Sequence, residues 1–411
     1  MKKVLMIANE FPPIGGSGVQ RSAKFAKYLP EFGYEPIIVT KKYCGGLYDE
    51  SLLKDLPSDL KRHDLESTDW VNGKGFLGKV KRAVGTRIFI PDAEFFWYRK
   101  NRKHVLSLVD EFNITILYST SYPYSDHLLA EYIKRKRPHV KWIADFRDEW
   151  TNNPYSTEKL WMRLRHPIER KLELGIVENC DFLITNTPFM LKNFITDTPD
   201  IAHHSTYIPN GFDHDDFADY RQSNQDNDRF HMVYSGALYG RRKPDHVLMA
   251  LSELIGEGAI DRDRVSIEFI GNYHEHIMKG HADHFCLDGV MSVTGYMSHG
   301  DLLNHMGKAN LLLLIESEKN FYTGKVFEYI KLNIPVLATV PIDGAAASVI
   351  LDTNTGDVVN TEDVTAIKQS IHSRYVQWTQ GEQRYEPDVD AIEKFSRKAQ
   401  TEALAKCFKK A

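Results

Sequence analysis

The sequence has few cysteines, a small net charge and no long apolar run, the features that mark disulfide-rich, nucleic-acid-binding and membrane-spanning proteins. It contains only four cysteines in 411 residues, none in a CxxC pair, which fits a reducing compartment better than a disulfide framework. Its 52 Lys and Arg against 56 Asp and Glu give a net charge of −4, so no general field attracts nucleic acid. No apolar run approaches the roughly 20 residues that cross a bilayer, and the short apolar start is broken too early for a signal peptide. We expect a cytoplasmic protein, at most peripheral on the inner face of a membrane.

What the sequence does have is an alternation of short apolar runs with helix-length segments, repeated in both halves. The predicted strands are 4–8, 36–40, 114–119, 142–146, 182–185 and 207–208, then 232–236, 266–271, 290–294, 310–314 and 335–338. The predicted helices include 21–32, 125–136, 244–255, 298–308 and 325–332. This alternation predicts an α/β fold with two Rossmann-like, doubly wound domains facing a central cleft. Ligands of such folds bind at the carboxyl ends of the strands.

A polar stretch at 219–229 comes just before a fresh strand, which indicates a domain boundary between about 209 and 230. Apolar residues at helical spacing over 390–411 predict a terminal amphipathic helix.

A glycine-rich turn, Gly15-Gly16, follows the first strand and leads into a helix. Glycines let backbone N–H groups approach an anion, and a helix N-terminus adds partial positive charge. The dinucleotide fingerprint G-x-G-x-x-G fails here, because Arg21 stands at its third glycine. The turn is therefore a phosphate or sugar contact, or simply a tight turn.

Three adjacent cations, Arg241, Arg242 and Lys243, follow the first strand of the second half. A loop at the carboxyl end of a strand can meet a ligand diphosphate, so these charges are candidates for that role. A solvated basic turn is the alternative.

A further candidate begins at Thr323 and Gly324, which precede a helix opening with Lys325 and Val326. Free N–H groups of a helix start can hold phosphate, and Lys325 adds a full charge. Glu328 lies one turn further on the same face, where a carboxylate can accept both hydroxyls of a ribose. The alternative is a surface ion pair between Lys325 and Glu328.

These segments occur in an order that resembles the retaining glycosyltransferases of family four. The run Ile208-Pro209-Asn210-Gly211-Phe212-Asp213 is similar to the family's "IPNGVD" segment. The resemblance implies the GT-B fold, with an acceptor-side domain at 1–208, a nucleotide-sugar domain at 209–385 and a C-terminal helix at 386–411 that crosses back to the first. It also implies transfer of a sugar from a nucleotide-sugar to a glycan or lipid-linked acceptor in cell-surface polysaccharide synthesis.

The resemblance also assigns roles residue by residue. Glu328 matches the second Glu of the family's E-x(7)-E motif and would bind the donor ribose. Asn320 stands at the first Glu, so sugar hydroxyls would be held by a neutral amide or by Glu318 instead. Arg242 falls at the family's diphosphate Lys, and Ala237 stands where the family has an Arg.

On the acceptor side, the segment 142–150 resembles one that often carries a His in this family, and Arg147 takes that place. Asp148 beside it, with Asp145 and Ser121, completes the acceptor-side candidates, and a structural cap of this loop is the alternative. Together with Arg242 and Lys325, Asp148 is a predicted catalytic residue. The resemblance implies that the departing phosphate oxygen takes the acceptor's proton in a retaining reaction, so no protein base is needed. Since Lys325, the 241–243 loop and helix N-termini would meet the diphosphate charge, no metal is expected, and no cofactor.

Several signals compete with this interpretation. Asp213-His214-Asp215 formally reads D-x-D, a metal–nucleotide signature, although we favour a domain entry. Histidines at 274–286 suggest zinc, but no finger spacing is met, and a solvated loop is favoured. Nine cations interleaved with aromatics such as Trp97 over 74–103 suit an anionic membrane surface or an ordinary basic face.

Two other functions remain open from the sequence. A non-catalytic, membrane-associated nucleotide-sugar-binding protein would account for Asn320 and Ala237. An NAD enzyme is disfavoured by Arg21 and by the absence of an acidic ribose partner after the second strand.

Overall fold

The computed structural model describes residues 1–43, 45, 48–67, 89–153, 159–221, 228–238, 242–382 and 384–411. The chain divides into two compact units, the first formed by Met1–Asn210 with Arg397–Ala411 and the second by Gly211–Ser396. The chain thus passes into the second unit directly after Pro209-Asn210 and returns to the first for its last helix.

The first unit is built on a parallel sheet with the strand order β3-β2-β1-β4-β5-β6-β7. Its strands are β1 (Lys2–Ile7), β2 (Tyr34–Lys41), β3 (Lys61–Leu65), β4 (Ile116–Ser121), β5 (Lys141–Phe146), β6 (Phe182–Thr185) and β7 (Ser205–Tyr207). The described helices of this unit are α1 (Ser17–Tyr28), α2 (Ser51–Lys54), α3 (Phe95–Glu111), α4 (Ser125–Lys136), α5 (Leu160–Asn179), α6 (Pro188–Asp197) and, at the end of the chain, α14 (Arg397–Lys410).

The second unit repeats this plan with the strand order β10-β9-β8-β11-β12-β13, again parallel. Its strands are β8 (Phe230–Ser235), β9 (Val265–Ile270), β10 (Met291–Thr294), β11 (Leu311–Ile315), β12 (Val336–Thr339) and β13 (Gly356–Val359). Its described helices are α7 (Asp245–Gly256), α8 (Glu275–His284), α9 (His299–Met306), α10 (Lys325–Lys331), α11 (Ala345–Asp352), α12 (Val364–Thr379) and α13 (Val389–Glu393).

Each sheet is buried on both faces, and the central strands show why. In β11, Leu311 and Leu313 pack into the core on one face, while Leu312 and Leu314 pack into the core on the other. The same alternation divides β1, where Leu5 faces one core of the first unit and the neighbouring residues face the other. Strands covered on both faces are continuous apolar runs, as parallel sheets require. The predicted α/β class with two doubly wound sheets is therefore confirmed.

The element bounds differ from the predictions where the sequence is polar or short. The edge strand β3 (Lys61–Leu65) reads Lys-Arg-His-Asp-Leu and carries no apolar run, so its strand character comes from pairing with β2. The predicted terminal helix is divided, because α13 belongs to the second unit and α14 to the first. Among the described helices, none is both long and apolar enough to span a bilayer.

Candidate functional site

Lys325 begins helix α10 and reaches back to the carboxyl end of β8. Its Nζ donates to the Tyr234 hydroxyl at 3.1 Å and to the Ser235 carbonyl, and it lies 4.3 Å from the centre of the Tyr234 ring. Burial and the nearby positive charge of Arg242 lower the pKa of Lys325 to about 8. The ammonium is thus held in place where solvation is poor, at the edge of the sheet where parallel folds bind ligands.

Gly236, directly after β8, is required by this arrangement. Its φ is +101°, a left-handed value that side chains rarely adopt. A Cβ built at this position would also lie 2.6 Å from the Lys325 Nζ. The Tyr-Ser-Gly sequence therefore supplies the ring, the carbonyl and the open space that seat one lysine.

Arg242 is the second cation of this edge. Its guanidinium binds the carboxylate of Glu316 through both oxygens, with Nε to Oε1 at 3.0 Å and Nη2 to Oε2 at 2.5 Å. Glu316 is fully buried at the end of β11 and also accepts the backbone N–H of Ser317 at 2.9 Å. The pair fixes Arg242 close to Lys325 but also compensates most of its charge, so Lys325 is the less compensated cation.

The other cations of the predicted basic loop are less informative. Lys243 is exposed, in line with a solvated turn, while Arg241 lies outside the described residues.

The segment before α10 only partly matches the expected phosphate cradle. Thr323 is buried, and its hydroxyl has no hydrogen-bond partner among the described residues, whereas Gly324 and Asn320 reach the surface. Val326 was expected to offer a free N–H, but this N–H donates to the Thr323 carbonyl at 3.3 Å, and the Val326 side chain is fully buried in the core. The backbone of α10 therefore offers fewer free donors than the sequence indicated.

Glu328 lies on α10 beside the preceding helix. Its Oε1 is 2.9 Å from the Nε2 of His299, the first residue of α9, and its side chain is 23% exposed. The predicted alternative, a surface pair with Lys325, does not match these contacts, since Lys325 turns to β8. Glu328 remains accessible to a ligand hydroxyl while its partner holds it in place.

In the first unit, the Gly15-Gly16 turn leads into α1 as expected. Gly16 precedes the helix with a φ of +123° and is exposed, and its carbonyl accepts the Val19 N–H at 3.2 Å. Only glycine adopts this backbone readily, so the need for it is conformational.

Arg147 and Asp148 follow β5 and face different surroundings. The Arg147 guanidinium is buried and donates to three carbonyls, those of Gly18, Ser121 and Tyr122. It therefore fixes the loops after β1 and β4. The Asp148 carboxylate is exposed beside it, so of the acceptor-side candidates it is the one open to a substrate.

Asp145 is not available to an acceptor, which corrects its predicted role. It is fully buried, and its oxygens accept from Arg21 at 2.7 and 3.0 Å and from the Tyr118 hydroxyl. Arg21 also donates to the Pro209 carbonyl at 3.0 Å. Arg21, which stands where the dinucleotide fingerprint requires its third glycine, thus forms a buried ion pair that joins α1 to β5.

Ser121, a predicted acceptor-side residue, lies in a group of buried polar atoms whose other members, in Asn9 and Asp126, were missed in the sequence. The Ser121 hydroxyl, both side-chain polar atoms of Asn9 and one oxygen of Asp126 have no partner among the described residues. The other Asp126 oxygen accepts the Asn9 N–H at 2.8 Å, and burial raises the pKa of this carboxyl well above its usual range. Asn9 follows β1 and Ser121 ends β4, so adjacent strands deliver them to one edge. The available signal was a polar residue at or just beyond the carboxyl end of each of two strands.

Residues of the two competing metal motifs make contacts within the protein. The Asp213 side chain accepts the Asp215 N–H at 3.3 Å, and His214 pairs with Glu393 at 2.8 Å. The histidine-rich segment was predicted to be a solvated loop, and this prediction is wrong, because the segment contains helix α8. There His281 stacks on Phe285.

The basic and aromatic stretch 74–103 is described only from residue 89 onward. Within that part, Trp97 is fully buried and donates its indole N–H to the Leu65 carbonyl at 3.3 Å, so it cannot enter a lipid surface. Arg99, Lys100 and Lys103 are exposed on α3.

Comparison with known proteins places these sites in context. Residues 16–216 match the family model described as Glycosyltransferase Family 4. A glycosyltransferase from Rickettsia africae ESF-5 is similar in structure, with a TM-score of 0.60 and 16% identity over 99% of this chain and 94% of that chain. The structure of Anabaena Alr3699/HepE in complex with UDP-glucose is similar as well, with a TM-score of 0.62 and 13% identity over 100% of both chains. WaaG, a glycosyltransferase involved in lipopolysaccharide biosynthesis, has a TM-score of 0.59 and 14% identity over 98% of this chain and 99% of that chain. No curated protein sequence matches this chain.

Proposed function

We propose that this chain, which has the GT-B fold, is a glycosyltransferase of family 4 and transfers a sugar, with retention of anomeric configuration, from a nucleotide-sugar to a glycan or lipid-linked acceptor. The proposed setting is cell-surface polysaccharide synthesis. Two of the similar structures support it by their own descriptions, one being bound to UDP-glucose and one acting in lipopolysaccharide biosynthesis.

The observation that carries the proposal is the seating of Lys325. When the bond from the sugar to the nucleoside diphosphate breaks, negative charge develops on the leaving phosphate. A cation already fixed in a poorly solvated place stabilises that charge without reorganising. Lys325 meets this description, and Arg242 on Glu316 sits close enough to lower its pKa.

We assign the rest of the donor to the neighbouring side chains. Glu328, held by His299, accepts the ribose hydroxyls, and Asn320 or Glu318 binds hydroxyls of the donor sugar. The unpartnered Thr323 hydroxyl is a further donor for this group.

The first unit supplies the acceptor site in this proposal. Asp148 is the exposed carboxylate that orients the acceptor, and the unpartnered atoms of Asn9, Ser121 and Asp126 can pair with its hydroxyl groups. The Gly15-Gly16 turn contacts phosphate or sugar through its backbone. The acceptor's proton passes to the departing phosphate oxygen, so the protein needs no general base.

The proposed transfer uses no cofactor and no metal ion on the diphosphate, because cationic side chains neutralise its charge. Docking on an anionic membrane through the exposed cations of 99–103 is part of the same proposal and is compatible with a lipid-linked acceptor.

Turnover of labelled nucleotide-sugars tests the proposed function. Wild type is incubated with UDP-, GDP- and ADP-sugars and a membrane extract as the source of acceptor, and Lys325→Met and Lys319→Met are compared with it. Lys319 is a matched exposed lysine paired with Asp343, a few residues before Lys325. We expect transfer from one donor class, loss of at least 100-fold in Lys325→Met and no loss in Lys319→Met.

Donor binding without turnover by wild type would support the non-catalytic alternative, for which Asn320 and Ala237 are the relevant departures. Equal turnover by the two lysine variants would remove Lys325 from the mechanism.

A further inference from the structure

Three side chains from separate elements of the second unit converge on one point. His231 comes from β8, Glu268 from β9 and His305 from the last turn of α9. The Oε2 of Glu268 lies 3.1 Å from the Nε2 of His231 and 2.9 Å from the Nε2 of His305. All three atoms lie within 4.8 Å of one another. Two imidazoles and one carboxylate oxygen thus share a single focus.

Two of the three side chains, His231 and Glu268, are held by a second hydrogen bond in the orientation that ligands of a metal need. The Nδ1 of His231 is 2.9 Å from the Ser266 hydroxyl, which leaves Nε2 directed at the focus. The Thr294 hydroxyl donates to Oε1 of Glu268, which leaves Oε2 directed there as well. Metal-binding histidines and carboxylates in proteins are oriented by second hydrogen bonds of this kind.

We propose that His231, Glu268 and His305 bind a divalent transition-metal ion of the zinc class. Two nitrogens and one oxygen suit zinc better than magnesium or calcium, which prefer oxygen ligands. Tetrahedral bonds of about 2.0–2.1 Å place ligand atoms about 3.3 Å apart. The two distances from Glu268 Oε2 to the histidine Nε2 atoms, 3.1 and 2.9 Å, therefore need to open by only a few tenths of an ångström, and the two Nε2 atoms already lie within 4.8 Å of each other. Each imidazole binds the ion through an unprotonated Nε2 and keeps its one proton on Nδ1, which in His231 can be donated to the Ser266 hydroxyl, and water takes the fourth position.

Exposure at the cluster permits entry of an ion. The side chains of His231 and His305 are 20% and 29% exposed, whereas Glu268 is only 8% exposed. The carboxylate of Glu268 is therefore buried, while both histidines are partly exposed, so an ion can reach the three side chains from the solvent side of the histidines.

The position of the cluster indicates a structural ion rather than a reacting one. His231 precedes Ser235, the last residue of β8, by four positions, which is roughly 13 Å along a strand. Lys325 contacts that far end. The ion would fix the last turn of α9 to the sheet, while His299 at the other end of α9 contacts Glu328. The proposal does not depend on the proposed transferase function.

Equilibrium dialysis with Zn²⁺ and visible absorption with Co²⁺ test the site on the full chain. We expect one ion per chain in wild type and a tetrahedral Co²⁺ spectrum. His305→Gln keeps a hydrogen-bond donor but removes a good ligand, so it should weaken Zn²⁺ binding at least 100-fold. His305→Cys replaces one zinc ligand with another and should retain binding. His281→Ala, in the histidine-rich helix α8, is the control and should bind as wild type does.

Thermal unfolding separates loss of the site from loss of the fold. Zn²⁺ should raise the Tm of wild type and His305→Cys but not of folded His305→Gln, because only a ligand-competent side chain links binding to stability. Equal Zn²⁺ binding by wild type and His305→Gln, or no binding by wild type, would overturn the site. The cluster would then be a hydrogen-bonded network alone.

Discussion

Lys325 is the residue on which the proposed donor site depends. Its ammonium is seated on an aromatic ring and a carbonyl, and burial together with the charge of Arg242 lowers its pKa to about 8. A bound diphosphate would reverse this effect, because a nearby negative charge favours the protonated amine. Binding of the leaving group and protonation of Lys325 should therefore be linked.

The linkage predicts the pH dependence of nucleoside diphosphate binding. Below a pH of about 8 Lys325 is already charged, and affinity should be flat. Above it, binding requires uptake of a proton, so affinity should fall by up to about tenfold per pH unit. Calorimetry in two buffers of different ionisation enthalpy measures both affinity and proton uptake. Retention of the same pH dependence in Lys325→Met would assign it to another group.

Glu328 predicts a specific defect in ribose recognition. Glu328→Ala should weaken binding of a nucleoside diphosphate by about 1.5–3 kcal/mol, roughly 10- to 100-fold in Kd, because a charge-assisted pair of hydrogen bonds is lost. The 2′-deoxy form of the same ligand isolates the contact. If Glu328 binds the ribose, the substitution should cost clearly less with the deoxy ligand, and equal costs would place the carboxylate elsewhere.

Two serines on β4 provide a matched pair for stability. The Ser119 hydroxyl lies 2.8 Å from both His127 Nδ1 and Trp142 Nε1, so Ser119→Ala leaves buried groups unpaired and should cost about 1–3 kcal/mol. The Ser121 hydroxyl has no described partner, so Ser121→Ala should leave stability unchanged or raise it. Urea unfolding of both variants compares them. Equal destabilisation would show that Ser121 has a partner within the fold and is not kept for a ligand.

At the scale of elements, the ion pair of Arg21 and Asp145 joins helix α1 to strand β5. Both side chains are almost fully buried, and the guanidinium contacts both carboxylate oxygens. Breaking such a pair leaves one charge uncompensated in the core, whereas replacing both partners with apolar residues does not.

The ion pair of Arg21 and Asp145 predicts that a single substitution lowers the stability of the fold strongly and that replacing both residues restores most of it. Arg21→Met should lower the free energy of unfolding by about 3–5 kcal/mol, and Arg21→Met with Asp145→Leu should recover most of it. Denaturant unfolding followed in the first unit measures both. A double variant as unstable as the single one would show that the residues act through packing instead.

The elements that the sequence predicted best are the ones with strong local signals. The central strands β1 and β11 are continuous apolar runs, and α4 begins and ends at the predicted residues. The edge strands β3 and β13 were missed, since their residues are charged or half-exposed and form strands only by pairing with a neighbour. Local periodicity carries no information about such pairing.

At the scale of the whole molecule, the alternation of strands and helices was enough to predict the fold, and the order of the motifs pointed to the family whose model matches residues 16–216. The contacts within the sites were not predictable, because each joins residues far apart in sequence. Arg242 meets Glu316 across 74 positions, and Glu268 meets His231 and His305 across 37 positions each. Residue types at strand ends indicated where a ligand would bind. They did not indicate that Glu316 would neutralise Arg242 and leave Lys325 as the less compensated cation.

Calorimetric titration of UDP, GDP and ADP into wild type, Lys325→Met and Lys319→Met tests the account most directly. We predict that one of the three nucleotides binds wild type, that Lys319→Met binds it with the same Kd, and that Lys325→Met binds it at least tenfold more weakly with its fold intact. Binding of no nucleotide by wild type, or the same Kd for all three proteins, would contradict a donor site built on Lys325.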